Sequence, residues 1–393
     1  MNVLFWMSNG FDTPFTSEHL LGAVIYSLAM EGHNVHVIQT KQGGKNPELP
    51  EYLRIPNITT SSIPYSAPLK SNFIKRYISE IKWHLSCKKE LERHRDYDAL
   101  FLQSTTVAGF AIGLARRVLG SQCIITFNVQ DIFPYNAEFS GNVKKDGLVF
   151  KVMAAEQRYG YKRADHIITI SEDMKDTLVT DGTPAEKIEV VYNWSYQDEL
   201  YEDLDLTSVS HMFDNNYFNV VYAGNIGVMQ NVDILVESAK LMKDDKSVWF
   251  HIIGNGVYKD KLEARTKEYG ITNISFWPMQ PPELAPLIYG AADVNVIPLV
   301  KDVYRTALPS KTATCLACQK PIIFAIGKES KFGQKAMKEA GCPVVEADRP
   351  EELVEAIREV QGGKKSNTVG EFFLEYFKNT ENSKKYAKTI IQR

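Results

Sequence analysis

Two glycine-containing turns follow strand-like segments in the second half of the chain. The first lies in VVYAGNIGVMQN, residues 220–231, and the second in IGNGV, residues 253–257. Glycines at a strand-to-helix turn let backbone N–H groups approach an anion closely, as they do in phosphate sites. An ordinary turn uses the same residues. The two turns together therefore indicate a phosphate site better than either does alone.

A lysine and an arginine accompany LPSKTATCLACQKP, residues 308–321. Pro309 and Ser310 predict the start of a helix, with Lys311 in its first turn, where a positive charge is unfavourable unless an anion compensates it. Together with Arg305, this pattern predicts two cations that hold a diphosphate. Solvated surface charges are an equally good interpretation of the same residues.

A carboxylate follows a strand of the first half, in VQDIFPY, residues 129–135. Gln130 and Asp131 are expected at the carboxyl end of the first sheet. Asp131 could orient an acceptor hydroxyl or act as a base. From spacing alone, a cap on the turn before Pro134 explains Asp131 at least as well.

The sequence predicts neither a metal nor a cofactor. Cys315 and Cys318 form a single CxxC pair without a second pair, which favours packing in an apolar helix over metal binding. No ligand pair stands out among the eight histidines, and His33 and His36 flank a strand start, where a structural or exposed role is expected. The five cysteines are scattered and fit reduced thiols.

Strand-like and helix-like segments alternate along the chain and predict an α/β fold with two doubly wound parallel sheets. The alternation of strand-like and helix-like segments is interrupted by the polar stretch 196–216, so we expect one domain at 1–208 and a second at 209–369. Residues 370–393 predict a separate helical tail with an apolar cluster that must pack on something. In such sheets, ligands bind at the carboxyl ends of the strands, here in a cleft where the two sheets would face each other.

Composition narrows the function classes. The 393 residues carry a net charge of -3 with a pI near 6.3, which argues against a general nucleic-acid binder. No signal peptide or membrane-spanning run is visible, so a cytoplasmic protein is expected. Residues 70–95 read as a basic amphipathic helix, for which a core-facing role is the commoner explanation and an anionic membrane surface near a lipid-linked acceptor the alternative.

A series of motifs resembles one known family, the GT-B glycosyltransferases of family four, above all bacterial enzymes that build surface polysaccharides. In chain order these motifs are EGHNVHVI, RADHIITISEDMKDTL, GTPAEKIEVVYNW, YAGNIGVMQN, FHIIGNG, LIYGAADVNVIPL and LPSKTATCLACQKPII. The resemblance implies a GT-B fold, a nucleotide-sugar donor in the second domain, and an acceptor on the first. It also implies hexosyl transfer with retention of configuration, without a metal, and a C-terminal helix that crosses back to the first domain.

On this resemblance, site residues can be assigned by matching positions. The catalytic set comprises Asp131, Arg305 and Lys311. The donor-binding set comprises Gly224, Asn225, Gly227, Gln230, Gly254, Gly256, Met279, Thr306, Ser310 and Thr314. The acceptor-side set comprises Thr13, Phe15, Thr16, Asn128 and Gln130.

Several positions depart from the family pattern. The family's two glutamates are replaced by Thr306 and Thr314, and the usual Arg and Lys of the phosphate turn by Asn225 and Gln230. A threonine hydroxyl binds a ribose more weakly than a carboxylate that takes both hydroxyls. Lys311 and Arg305 therefore become the leading cations for the diphosphate.

The sequence thus predicts a retaining transferase that moves a sugar from a nucleotide-diphosphate donor, most simply a UDP-sugar. The acceptor would be a saccharide or a polyprenyl-diphosphate-linked saccharide in capsule, O-antigen or exopolysaccharide assembly. Two alternatives remain open. One is a non-catalytic protein that binds a sugar nucleotide or a partner transferase, suggested by the loss of both glutamates. The other is a nucleotide-sugar 2-epimerase, against which Thr306 and the sparse histidines argue.

Overall fold

The structure is a computed structural model that describes residues 1–11, 18–41, 47–65, 73–363 and 368–393. It divides into two compact units. The first comprises Met1–Tyr192 with Asn379–Arg393, and the second comprises Asn193–Lys378. The division falls at 192/193, ahead of the predicted 208/209, because the segment after Tyr192 already packs in the second unit. There, for example, the Tyr201 N–H donates to the Ala317 carbonyl at 2.9 Å.

The first unit contains a seven-stranded parallel sheet in the order β3-β2-β1-β4-β5-β6-β7. Its strands are β1 Asn2–Trp6, β2 Asn34–Lys41, β3 Ile58–Pro64, β4 Ala99–Leu102, β5 Ile124–Val129, β6 His166–Thr169 and β7 Ile188–Val190. Its helices are α1 Glu18–Met30, α2 Phe73–Ser86, α3 Lys88–Arg93, α4 Ala108–Leu119, α5 Tyr135–Phe139, α6 Leu148–Arg163 and α7 Glu172–Thr180, with α15 Asn379–Ile391 from the end of the chain. Every residue of β4 and β5 is buried, as expected for strands covered on both faces.

The second unit contains a six-stranded parallel sheet in the order β10-β9-β8-β11-β12-β13. Its strands are β8 Phe218–Ala223, β9 Val248–Ile253, β10 Ile274–Trp277, β11 Val294–Pro298, β12 Ile322–Ala325 and β13 Val344–Val345. Its helices are α8 Asp233–Leu241, α9 Lys259–Glu268, α10 Ala285–Ala291, α11 Lys311–Ala317, α12 Lys331–Ala340, α13 Pro350–Gln361 and α14 Val369–Tyr376. The predicted α/β class with two doubly wound parallel sheets is confirmed.

In both sheets the order of strands reverses once, between β1 and β4 in the first unit and between β8 and β11 in the second. The chain leaves neighbouring strands in opposite directions at such a point, which opens a crevice at their carboxyl ends. Each sheet therefore presents one preferred place for a ligand, and this place can be located without reference to any motif.

The predicted tail, 370–393, is divided between the two units. Phe372 and Phe377 contact each other, and Phe377 also contacts Phe332 of α12, so the apolar cluster belongs to the second unit. Our expectation that this cluster covers the first domain is wrong. Only α15 joins the first unit, where it packs on α1 and β5, and it supplies the expected crossing back of the C-terminal helix.

Strands that are short or polar could not be predicted from the sequence. β3, β7 and β13 were not predicted, since β3 reads ITTSSIP and the other two span only a few residues. The single helix expected over 70–95 is two helices, α2 and α3, which meet at Cys87. Among the described residues, no helix is long and apolar enough to cross a membrane.

Candidate functional site

The two glycine turns meet at the carboxyl ends of β8 and β9. The Gly224 N–H donates to the Ile253 carbonyl at 2.9 Å, and the Ile226 N–H to the Asn255 carbonyl at 2.9 Å. The fit is tight, because a Cβ at Gly254 would lie 1.9 Å from the Gly224 carbonyl oxygen, and the φ angle of Gly254 is +152°. A side chain at Gly254 cannot be accommodated without separating the turns.

Lys311 lies against the first of these turns. Lys311 is partly exposed, and its Nζ lies 3.8 Å from the centroid of the Tyr222 ring in β8. A Cβ at Gly224 would be 2.7 Å from the Nζ, so the missing side chain leaves the room that the ammonium occupies. Lys311 follows β11, so this contact spans the β8/β11 reversal, where a ligand is expected.

The charge of Lys311 is poorly compensated. Burial lowers the pKa of its ammonium from the ordinary 10.5 to about 8, and the Cys315 thiol acts weakly in the opposite direction. Among the described residues no carboxylate contributes to this pKa. A cation held over an aromatic ring without a counter-ion is a favourable place for an anionic ligand.

Two amides replace the usual cations of the phosphate turn. The Asn225 Nδ2 donates to the Gln230 Oε1 at 3.2 Å, which joins the two ends of the turn. Gly227 leaves space for them, since a Cβ there would lie 2.5 Å from the Gln230 Oε1. The pair keeps unused amide N–H groups that could reach a phosphate oxygen, although without a formal charge.

Three residues that support the turns were missed in the sequence. Tyr222 carries the ring beneath Lys311, and its hydroxyl donates to the Asn225 carbonyl. The Lys259 Nζ donates to the Gly254 carbonyl, directly after β9, and to the Trp277 carbonyl at the end of β10, each at 3.2 Å. Asn231 adopts a left-handed conformation and donates to the Ala347 carbonyl at 2.7 Å. The GNGxxK spacing that leads to Lys259 could have indicated one of these residues.

The other matched residues of the second unit differ in their surroundings. Arg305 is half exposed and contacts Asp302 at 3.2 Å and Glu329 at 3.3 Å, so its charge already has carboxylate partners. The Thr306 hydroxyl is buried and donates to the Val303 carbonyl at 3.1 Å. Ser310, the residue before α11, is exposed, and its side chain makes no capping hydrogen bond. Thr314 is partly exposed on α11. Met279, after β10, is 48% exposed.

The acceptor-side residues of the first unit hold the C-terminal helix. The Asn128 Oδ1 accepts hydrogen bonds from the Gln130 Nε2 at 3.0 Å and from the Tyr386 hydroxyl of α15 at 3.2 Å. Asn128 is buried. The structure therefore gives Asn128 and Gln130 a contact with α15. Thr13, Phe15 and Thr16 lie outside the described residues.

Asp131 follows β5 and keeps exposed surface. Its Oδ1 accepts a hydrogen bond from the side-chain Nδ2 of Asn136 in α5 at 2.6 Å. The surrounding protein nevertheless raises the carboxyl pKa by desolvation. A hydroxyl-binding role for Asp131 is compatible with this position.

The cysteines are all buried and unpaired with each other, as predicted. Cys315 and Cys318 pack in α11 and after it, and burial raises the pKa of both thiols. A cavity of about 360 Å³ lies elsewhere, at the amino ends of β8 to β10, and its lining includes Asn219, Trp249 and Ser275. It is at the opposite edge of the sheet from the glycine turns.

Two family models match the chain, Glycosyltransferase Family 4 over residues 20–194 and Glycosyl transferases group 1 over residues 217–361. WcaI of Escherichia coli (strain K12), a glycosyl transferase named for colanic acid biosynthesis, is 24% identical over 376 residues, which cover 92% of each chain. Among solved structures, Anabaena HepE in complex with UDP and glucose has a TM-score of 0.71 at 14% identity over 99% of each chain. Sucrose-phosphate synthase from Thermosynechococcus elongatus has a TM-score of 0.76 at 14% identity over 98% of this chain and 97% of its own.

The chain has two parallel-sheet units, each with one reversal of strand order, and a C-terminal helix that returns to the first unit, which together define the GT-B fold class. Within that class, the chain belongs to glycosyltransferase family 4.

Proposed function

We propose that the second unit binds a nucleotide-diphosphate sugar with its diphosphate beside Lys311, and that the chain transfers this sugar with retention of configuration in surface-polysaccharide assembly. The observation that carries the proposal is the Lys311 ammonium, which lies against Gly224 at the reversal of strand order and has no carboxylate partner in the part of the chain that the structure describes. The motif that contains Lys311 and the glycine turns were found independently in the sequence, and the fold brings them together.

Lys311 would act on the leaving group. As the sugar develops oxocarbenium character, the bond to the diphosphate lengthens and negative charge grows on the phosphate oxygens. A fixed ammonium in a site of low dielectric stabilises that charge more than it stabilises the bound ground state. The N–H groups of the glycine turns and the amides of Asn225 and Gln230 would add neutral donors. This arrangement needs no metal for the leaving group.

The donor is proposed to be a UDP-sugar. The support for this choice is the shared fold with HepE, which is solved with UDP and glucose. The acceptor is proposed to be a saccharide or a polyprenyl-diphosphate-linked saccharide, on the strength of WcaI, which is named for colanic acid biosynthesis. Sucrose-phosphate synthase has the same fold, which shows that the fold by itself does not choose an acceptor.

The replacement of the two family glutamates by Thr306 and Thr314 is expected to lower the affinity for the nucleotide-sugar donor. The Thr306 hydroxyl donates its hydrogen bond to the Val303 carbonyl, and a threonine stands at position 314 where the family has a glutamate. The ribose and sugar hydroxyls of a donor would therefore have fewer charged partners. Loss of a charge-assisted hydrogen bond costs about 1.5–3 kcal/mol, or roughly tenfold to a hundredfold in affinity. We therefore expect the diphosphate to supply most of the donor affinity, so that UDP binds far better than uridine.

The test is a thermal-shift and calorimetric comparison of UDP, GDP, dTDP, CDP and ADP on the wild type and Lys311→Ala. Lys338→Ala, which removes an exposed lysine of α12, is the control. A selective shift with UDP that is lost in Lys311→Ala and kept in Lys338→Ala supports the proposal. Binding of no nucleotide would refute it. Selective binding without transfer to any of a broad set of saccharide acceptors would favour the non-catalytic alternative, and release of an epimerised sugar the 2-epimerase.

Retention and metal independence are tested on the product. With a defined acceptor, the anomeric configuration of the product read by NMR should match that of the donor. The initial rate should be unchanged after chelation with EDTA. Inversion of the anomeric centre, or a rate that disappears with EDTA and returns with Mg²⁺, would refute this part of the proposal.

We further propose that the first unit lies on an anionic membrane surface through α2. Ile74 and Ile78 are 57% and 45% exposed, and Lys75 and Arg76 are exposed beside them. The start of α6 adds Leu148, 79% exposed, and both helices border one apolar cluster that includes Phe73 and Phe150. Exposed apolar side chains among cations fit the headgroup region of an anionic bilayer.

Vesicle sedimentation distinguishes this surface from a core-facing or solvated one. Wild type should sediment with vesicles that contain phosphatidylglycerol and remain in solution with phosphatidylcholine alone. The double variant Ile74→Ser with Leu148→Ser should lose most of the binding. Equal sedimentation of the variant and the wild type would refute the proposal.

A further inference from the structure

We infer that His36, Glu90 and His94 of the first unit form a binding site for one divalent transition-metal ion, with zinc the first choice. The three residues come from two elements, since His36 lies in β2, Glu90 in α3, and His94 directly after α3. One potential ligand atom from each lies within 4.8 Å of the others. The inference does not depend on the proposed transfer reaction.

The distances suit a tetrahedral ion. The Glu90 Oε1 lies 3.6 Å from the His36 Nε2 and 3.2 Å from the His94 Nε2. Zinc bonds to nitrogen and oxygen are about 2.0–2.2 Å long, which places neighbouring ligand atoms of a tetrahedron about 3.3–3.5 Å apart. All three ligand atoms lie within 4.8 Å of one another, and the two imidazole rings would have to turn apart to complete a tetrahedron around an ion. Two imidazoles and one carboxylate are a known protein ligand set for zinc, which leaves a fourth position for water.

Outer contacts hold two of the ligands in place. The His36 Nδ1 lies 2.8 Å from the Thr59 hydroxyl of β3, and with the proton on this nitrogen the lone pair of the Nε2 is left for an ion. The Arg93 Nη1 donates to the Glu90 Oε2 at 2.7 Å, which leaves the Oε1 to the site. Such partners orient ligands in metal sites and affect affinity strongly. The Ser61 hydroxyl lies 3.0 Å from the His36 Nε2 and donates to this lone pair, so Ser61 would have to turn away when an ion binds.

Two of the ligands are buried, since His36 and Glu90 are each 7% exposed. The two imidazole rings are tilted by 31° with their centroids 4.0 Å apart, so both histidines lie beside the same carboxylate.

The site is far from the carboxyl ends of the strands. His36 pairs in register with Leu4 of β1 and Thr59 of β3, and β2 continues for five more residues to Lys41, about 16 Å further on. An ion here would connect β2 to α3 and stabilise the first unit rather than take part in transfer. The sequence search missed the site because its i,i+4 pair is Glu90 with His94, rather than two histidines.

The experiment uses the full chain, stripped with EDTA and dialysed. Zinc binding is measured by competition with a chromophoric chelator and by elemental analysis, and Co²⁺ serves as a spectroscopic probe. We expect one zinc per chain, intense d–d absorption from tetrahedral Co²⁺, a higher melting temperature with zinc, and no effect of Mg²⁺. Glu90→Gln and His94→Gln should each weaken zinc binding by at least about 100-fold.

His33→Gln is the control, because the His33 Nδ1 lies 3.1 Å from the terminal amino group of Met1 and that pair could bind metal itself. It should leave zinc affinity unchanged. Absence of stoichiometric zinc, or zinc binding that His33→Gln removes and Glu90→Gln retains, would overturn the inference. Glu90→Gln preserves the size of the side chain, so it remains decisive if His94→Gln folds poorly. Chelation should leave the rate of sugar transfer unchanged.

Discussion

Replacing Lys311 by methionine should make the second unit more stable while it removes nucleotide binding. Methionine keeps most of the volume and the apolar stem of lysine but carries no charge. The opposite signs follow from the position of the ammonium, which is desolvated over Tyr222 and lacks a carboxylate partner among the described residues. A surface lysine would show neither effect.

The magnitude can be worked from the pKa. A pKa lowered from 10.5 to about 8 means that charging Lys311 costs about 3 kcal/mol more in the folded chain than in the unfolded chain. The cation–π contact with Tyr222 offsets about 0.5–2 kcal/mol of this cost and is lost in the variant. We therefore expect Lys311→Met to gain about 1–2.5 kcal/mol at pH 7, or roughly 2–10 °C in melting temperature.

The sign of the pH dependence follows from proton linkage. Between pH 8 and 10.5 the unfolded chain holds a proton on Lys311 that the folded chain has lost, so the contribution of this residue to stability rises with pH in that window. Below pH 8 both states are protonated and the penalty is constant. The advantage of Lys311→Met over the wild type should therefore shrink as the pH rises from 8 to 10.5.

Ligand binding should show the reverse trend. A diphosphate requires the charged form of Lys311, so UDP affinity in the wild type should fall above pH 8, by at most about tenfold per pH unit. The assay is thermal denaturation of wild type, Lys311→Met and the control Lys338→Met at pH 7 and pH 9.5, with and without UDP. The reasoning is refuted if Lys311→Met melts below the wild type at pH 7, or if UDP stabilises both equally.

Three further changes test other parts of the structure. Gly254→Ala should cost about 2–3 kcal/mol and weaken UDP binding, because its Cβ would collide with the Gly224 carbonyl. The control Gly270→Ala, at a positive φ in open space, should cost only about 1 kcal/mol, and equal melting temperatures of the two variants would contradict the reasoning. Tyr386→Phe removes the hydroxyl that bonds to β5 side chains and should cost about 1 kcal/mol and speed proteolysis of α15, and unchanged proteolysis would count against it. Gln319→Gly should raise the melting temperature by an amount that corresponds to about 0.5–1 kcal/mol, because Gln319 has a φ of +57° after α11, and a lower melting temperature would show that its side-chain contacts outweigh the strain.

Local sequence patterns were enough to predict the α/β class, the doubly wound sheets and most element positions. Apolar runs such as ALFL of β4, buried on both faces, and the glycine turns after β8 and β9 carry this information locally. The order of motifs identified the family. Strands such as β3 could not be found, because their pairing is decided by a neighbour in the sheet rather than by their own composition.

The tertiary structure decided which candidates lie near one another and what charge they carry. Only folding brings Lys311 over Tyr222, 89 positions earlier in the chain. Folding also gives Arg305 carboxylate partners, whereas none of the described carboxylates pairs with Lys311. Folding likewise turns Asn128 toward Tyr386 of α15 and gathers His36 with Glu90. Desolvation and side-chain pairing depend on segments that are distant in sequence. They set the chemistry of a site, and no local pattern of residues records them.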